Sequence, residues 1–285
     1  MSVEQIKFFD AARLGQADRL RELLENGTDP NLVDIGDHTA LVYAAQCGET
    51  EIVRLLLTNG ADPNRNDKDR YTTLIYAAQW GYTEIVDLLL ANGADPNVQN
   101  KYGSTALIDA AQKGHTEIVD LLLTNGAHPN LQGADGSTAL ILATRWRHTE
   151  VVRLLLANET DPNLYDANRS TALLHAAQEG CTHIVDLLIT NGADPNIQGT
   201  DGSTALICAA QKGHTDIVDL LINNGADLNR TKQEKTALNW AVLKGNDAVV
   251  YMLLHAHAEY FSRSSDVPRA VVGDEVVDAM MAELK

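Results

Sequence analysis

His255 and His257 stand two residues apart and would offer two imidazoles to a metal ion. Two imidazoles alone make a weak zinc site, and no acid or cysteine lies in a matching place to complete the set. No metal and no cofactor is therefore implied. His115, His148 and His214 occupy one position of a repeating pattern, between two helices, and read as structural. The carboxylates are spaced by the same pattern, with no sign of the paired, desolvated dyad that acid–base catalysis uses. The glycines are isolated at helix ends, and no phosphate-cradling loop signature is present. Cys47, Cys181 and Cys208 sit at three different positions of the pattern. Such an odd, scattered set argues against a disulfide framework and for a reducing compartment. No catalytic residue is assigned, and the chain reads as non-enzymatic.

The pattern itself is regular. Asn31, Asn64, Asn97, Asn130, Asn163, Asn196 and Asn229 follow one another every 33 residues. Thr-Ala-Leu recurs at Thr39, Thr105, Thr138, Thr171 and Thr204, with Thr72-Thr73-Leu74 as a variant. Thr236 comes one residue early, so the loop from Arg230 to Lys235 has lost a residue. A fixed period this short means a stack of one supersecondary unit. Within the unit, Thr105 caps a short helix and Gly114 ends it in the left-handed conformation. Thr116 is expected to cap a second helix, whose Ile118, Val119, Leu121, Leu122 and Leu123 cover most of its circumference. A helix apolar nearly all round is buried on more than one side, as stacking requires. Gly126 caps its far end and Pro129 bars continuation. Leu131 to Ser137 reads as a tight-turn finger.

These residues resemble the ankyrin repeat: Thr-Ala-Leu, Ala-Ala, Gly-His, Ile-Val-x-Leu-Leu-Leu and Asn-Gly-Ala-Asp-Pro-Asn on a common period. The resemblance implies an all-α solenoid with β-turn fingers, capped at both ends. Its expected divisions are an N-terminal capping unit (1–33), six full repeats (34–66, 67–99, 100–132, 133–165, 166–198, 199–231), a closing helix pair (232–259) and a tail (260–285). The family often carries Thr-Pro-Leu-His, whose His ties neighbouring fingers together. Here that position holds Val42, Ile75, Ile108, Ile141, Leu174, Ile207 and Asn239, so apolar packing is expected to replace the tie. In the closing pair, His257 stands where other units have the capping glycine. In the tail, Val276, Val277, Met280, Met281 and Leu284 would line one side of a short helix. That helix would either cap the last unit or serve as a ligand for another protein.

The net charge of −17 disfavours nucleic acid and anionic membrane as partners. Glu84, Asp87, Glu117, Asp120, Asp186, Asp216 and Asp219 fall near the starts of second helices and should form an outer acidic stripe. No apolar run is long enough for a membrane span, and no secretion signal shows. The chain is expected to be an intracellular monomer of the cytoplasm, with the nucleus or delivery into a host cell as alternatives.

Positions that vary between units are free for recognition. Three vary most: the residue before the capping Thr, the residue two after Leu, and the last residue of the first helix. The resemblance maps all three to a concave face of fingers and first helices. Large aromatics concentrate there in units two to five. The expected partner-binding residues are Tyr43, Tyr71, Tyr76, Trp80, Tyr102, Asp109, Lys113, Arg145, Trp146 and Arg147. Trp, Tyr and Arg dominate interface hot spots. The expected partner is a protein, with two alternatives on the same face: a small-molecule or nucleotide sensor, and an inhibitor or regulator of an intracellular enzyme. The fifth unit departs from the pattern, with Arg147 and Glu159 in place of two left-handed glycines.

Overall fold

The computed structural model describes residues 2–263. Two helices open the chain, α1 (Val3–Arg13) and α2 (Ala17–Glu25). Seven further pairs follow. The first helices of these pairs are α3 (Ala40–Cys47), α5 (Thr73–Trp80), α7 (Ala106–Lys113), α9 (Ala139–Arg145), α11 (Ala172–Glu179), α13 (Ala205–Lys212) and α15 (Ala237–Lys244). The second helices are α4 (Thr50–Thr58), α6 (Thr83–Ala91), α8 (Thr116–Thr124), α10 (Thr149–Leu156), α12 (Thr182–Thr190), α14 (Thr215–Asn223) and α16 (Asp247–Arg263). First helices pack on first helices of the neighbouring units, and second helices on second helices. The result is an all-α solenoid with one continuous core, running from Phe8 to Leu253.

Each first helix starts on a threonine whose hydroxyl accepts the backbone N–H three residues on, as Thr105 does from Ile108 at 3.2 Å. Asn239 replaces the usual apolar residue after Thr236 and completes a reciprocal capping box. The second helices are capped differently from the sequence expectation. Thr116 is the first helical residue, and His115 takes the cap position without a side-chain bond to the helix. The ring reaches backwards instead. Nε2 of His115 lies 3.4 Å from the Gln79 carbonyl oxygen, and that of His148 lies 3.1 Å from the Gln112 carbonyl. These histidines join one unit to the unit before.

Apolar packing does replace the finger histidine: Val42, Ile75, Ile108, Ile141, Leu174 and Ile207 are all buried. The units are nonetheless stitched by hydrogen bonds at other places. Successive fingers bond through their backbones, as Lys101 N–H does to Asp69 at 2.9 Å and Ala134 N–H to Tyr102 at 2.8 Å. The recurrent asparagines form a second ladder. Asn97 donates from Nδ2 to the Gly126 carbonyl at 3.0 Å and accepts from His128 N–H at 2.8 Å. This is the physical reason for the invariant Asn within the chain.

Two irregularities follow from the sequence. The shortened loop before Thr236 closes as a bridge between Lys232 and Lys235, with Gln233 and Glu234 at φ of 50° and 61°. Two left-handed central residues are what a tight hairpin turn of matching twist demands. At the other, His257 does not end its helix as a glycine would, and α16 runs on to Arg263, past the expected boundary. Val242 takes the position of Ala45, Ala78 and Ala111, each fully buried by the following unit; here it is 61% exposed. The expected helix in the tail lies outside the described residues.

Candidate interaction face

The residues that close the first helices of units two to eight, Cys47, Trp80, Lys113, Trp146, Glu179, Lys212 and Lys244, are all exposed, Trp146 as the cap just after α9. In units two to seven they sit two residues beyond a pair of small residues that face the core, so their side chains turn outward. Trp80 is 60% exposed and Trp146 59%. The column two residues after Leu lies deeper. Tyr43, Tyr76, Leu142, His175 and Trp240 are half-buried, and Asp109 and Cys208 are buried.

That deeper column braces the fingers. The Tyr43 hydroxyl donates to Oδ2 of Asp34 at 2.6 Å, and the Tyr76 hydroxyl to Oδ2 of Asp67 at 2.7 Å. In each case the other carboxylate oxygen accepts two backbone N–H groups of the finger, those of Gly36 and His38 for Asp34 and of Asp69 and Tyr71 for Asp67. Burial together with the bond to Asp34 pushes the Tyr43 phenol up to about 12, and burial with Asp67 raises Tyr76 in the same way. Burial alone would lift Asp34, but the bonds from Tyr43, His38 and Gly36 hold its carboxyl below the usual range. His175 repeats the arrangement, with Nε2 3.2 Å from Oδ2 of Asp166. In the fourth unit the roles change. Asp109 stands at the tyrosine position, accepts the Ser104 hydroxyl at 2.5 Å and is raised by burial. It lies beneath the face and is only 8% exposed.

Tyr71, Tyr76 and Tyr102 come together across two fingers. Tyr71 stacks on Tyr76 at 5.0 Å between centroids and meets Tyr102 edge-on at 6.4 Å. Lys101 lies 4.9 Å above the Tyr102 ring while pairing with Asp69 at 2.6 Å. Tyr43 belongs to a different cluster, 5.8 Å from Phe9 and 5.6 Å from His38. Arg145 and Arg147 flank Trp146, all three exposed. Arg147 reaches the next unit, donating to the Glu179 carbonyl at 3.0 Å and its carboxylate at 3.1 Å.

Between the two terminal helix pairs, two exposed apolar residues escaped the sequence reading. Ile35 is 83% exposed at a finger tip, and Tyr165 is 43% exposed with Arg169 4.8 Å above its ring. Ile35 stands where later fingers carry Lys68, Lys101, Ala134, Ala167 and Thr200, and that contrast was the available signal. Among the described residues, no group of three or more His, Cys, Asp or Glu is arranged to hold a metal ion. None of the described helices is long and apolar enough to cross a membrane.

A stack of helix pairs joined by turn fingers is the architecture of a repeat protein that presents an extended surface. A family model for ankyrin repeats, in three copies, matches residues 8–100, 85–166, 107–199 and 173–264, so the chain belongs to the ankyrin repeat family. Ankyrin repeats are generally protein–protein interaction modules and are typically non-enzymatic. No curated protein gives a significant match to the chain.

Proposed function

We propose that the chain binds a protein partner through the first-helix and finger face of units two to five. One observation carries this reading. Between the two terminal helix pairs, the large apolar side chains left exposed are Ile35, Trp80, Tyr102, Trp146 and Tyr165. All five fall within residues 34–165, and none within the two regular units that follow. The stack does not need them for folding, since units six and seven pack equally well without them. Exposed apolar surface carries an association risk, so its concentration on one stretch favours use as an interface.

The test is truncation of Trp80 and Trp146 to Ala, with binding measured on a partner identified by affinity capture and then purified. Each truncation should weaken binding by about 2 kcal/mol or more, as hot-spot residues do. Each should leave the unfolding transition nearly unchanged, because the rings stand outside the core. Loss of several kcal/mol of fold stability with unchanged affinity would refute the reading, since buried aromatics behave that way.

A further inference from the structure

Trp80, Lys113 and Trp146 hold one repeat position, at the C-terminal ends of the first helices of units three and four and at the cap just after that of unit five. All three are exposed. Lys113 has neither an ion pair nor a hydrogen-bond partner among the described residues, and the same holds for Arg145 beside Trp146. The acid nearest to Lys113 in its own helix, Asp109, is buried one turn back and already takes the Ser104 hydroxyl. Of the other cations of these fingers and helices, Lys101 pairs with Asp69, Arg147 with Glu179 and Lys232 with Asp201, whereas Arg65, Arg70, Lys212 and Lys244 are, like Lys113, unpaired among the described residues. Lys212 and Lys244 share the column, but there their neighbours are Glu179 and each other, with no exposed ring on either side. What sets Lys113 apart is its place: it is the unpaired cation whose neighbours in the column on both sides are exposed indoles.

Taking the proposed interface as the premise, we infer that its ligand is an extended peptide segment with a carboxylate residue centred between two apolar ones, three residues from each. The carboxylate pairs with Lys113, and the apolar side chains lie on Trp80 and Trp146. Charge selects the central group, because an unpaired ammonium attracts an anion and repels a cation. Spacing selects the backbone. Successive packed helices lie roughly 10 Å apart, which sets the distance from Trp80 to Lys113 and from Lys113 to Trp146. A polyproline-II chain brings every third side chain to the same side, about 9 Å on, so it keeps step with the column. An α-helix would keep step only every seventh residue, about 10.5 Å on. It would have to order about twice as many residues for the same three contacts. Aromatic-lined surfaces are also the usual recognition sites for polyproline-II segments.

The experiment uses the full chain and fluorescein-labelled peptides, read by anisotropy. One heptapeptide is Leu-Pro-Ser-Glu-Pro-Ser-Leu, and the second carries Lys in place of Glu. A third peptide of fifteen residues, built on an Ala-rich helix, places Leu, Glu and Leu seven apart. The Glu heptapeptide should bind at least about tenfold more tightly than the Lys heptapeptide, and more tightly than the helical peptide. Lys113→Glu should invert the preference between the two heptapeptides, and Trp80→Ala and Trp146→Ala should each weaken the Glu heptapeptide by about tenfold or more. Equal binding of the two heptapeptides, indifference to Lys113→Glu, tighter binding of the helical peptide, or no binding of the Glu heptapeptide up to about 1 mM would each overturn the inference. If a wrong-charge or helical peptide binds and Trp80→Ala abolishes it, the face is still an interface and the acidic extended ligand is the error. If binding survives both tryptophan truncations unchanged, the proposed interface fails as well.

Discussion

Arg147→Gly and Cys181→His together would return the junction of the fifth and sixth units to the pattern of its neighbours, and the two changes should be strongly coupled. Elsewhere a left-handed glycine ends the first helix and the next unit lays a ring or amide against it. A Cβ added at Gly114 would lie 2.6 Å from Nδ1 of His148, and one at Gly180 would lie 2.7 Å from Cε1 of His214. Arg147 has that Cβ, at φ of 60°, and the facing residue is the small Cys181. Cys181→His alone should therefore drive a ring into the Arg147 Cβ and destabilise by about 2 kcal/mol. Arg147→Gly alone relieves about 1.5 kcal/mol of left-handed strain. It adds about 1 kcal/mol of unfolded-state entropy. It also removes the half-exposed pair with Glu179, worth about 0.5 kcal/mol. The net effect is close to zero. In the double variant the ring fits and can bond the carbonyl of the preceding unit, as His148 does at 3.1 Å, for a gain of about 1 kcal/mol. The expected coupling is then about 3 kcal/mol. Urea unfolding of the four proteins measures it through the midpoint, at unchanged slope. Additivity to within about 0.5 kcal/mol would refute the steric argument.

Thr144 replaces an alanine of the other units, is fully buried, and its hydroxyl has no hydrogen-bond partner. Thr144→Val keeps the shape without the hydroxyl and should raise stability by about 1 kcal/mol in thermal or urea unfolding. Asn97→Ala removes one rung of the loop ladder, both of its bonds to the following unit, and should lower stability by about 1–2 kcal/mol while leaving helix content by circular dichroism unchanged. Burial holds the His175 imidazole below its ordinary value, although Asp166 pulls it the other way. The unfolded chain therefore takes up this proton first, so stability present above about pH 6.5 falls as the pH drops below it. His175→Tyr, which installs the residue of Tyr43 and Tyr76, should flatten that slope in urea midpoints measured from pH 7.5 to 5.5.

Although the start of the second helices was not legible in the sequence, the period, the helix pairs, the threonine and glycine ends of the first helices and the solenoid were. Each is set by local chemistry: a hydroxyl three residues before an N–H, a glycine free to take positive φ, apolar residues all round a helix that must touch two neighbours. The columns free to vary were legible too, because a repeat displays its own alternatives. Depth within those columns was decided by tertiary structure. Tyr43 and Tyr76 look like Trp80 in a string of letters, but their hydroxyls reach finger carboxylates nine residues back, and Asp109 sinks beneath the face that Lys113 crowns. The backward reach of His115 and His148, and the pairing of Arg147 with a small Cys181, also depend on how one unit lies on the next. Contacts across units bring together residues 29 to 36 apart, as Asn97 with Gly126 and His148 with Gln112 show. A period repeats the residue types at that distance, and only the packing of one unit on the next decides which of them meet.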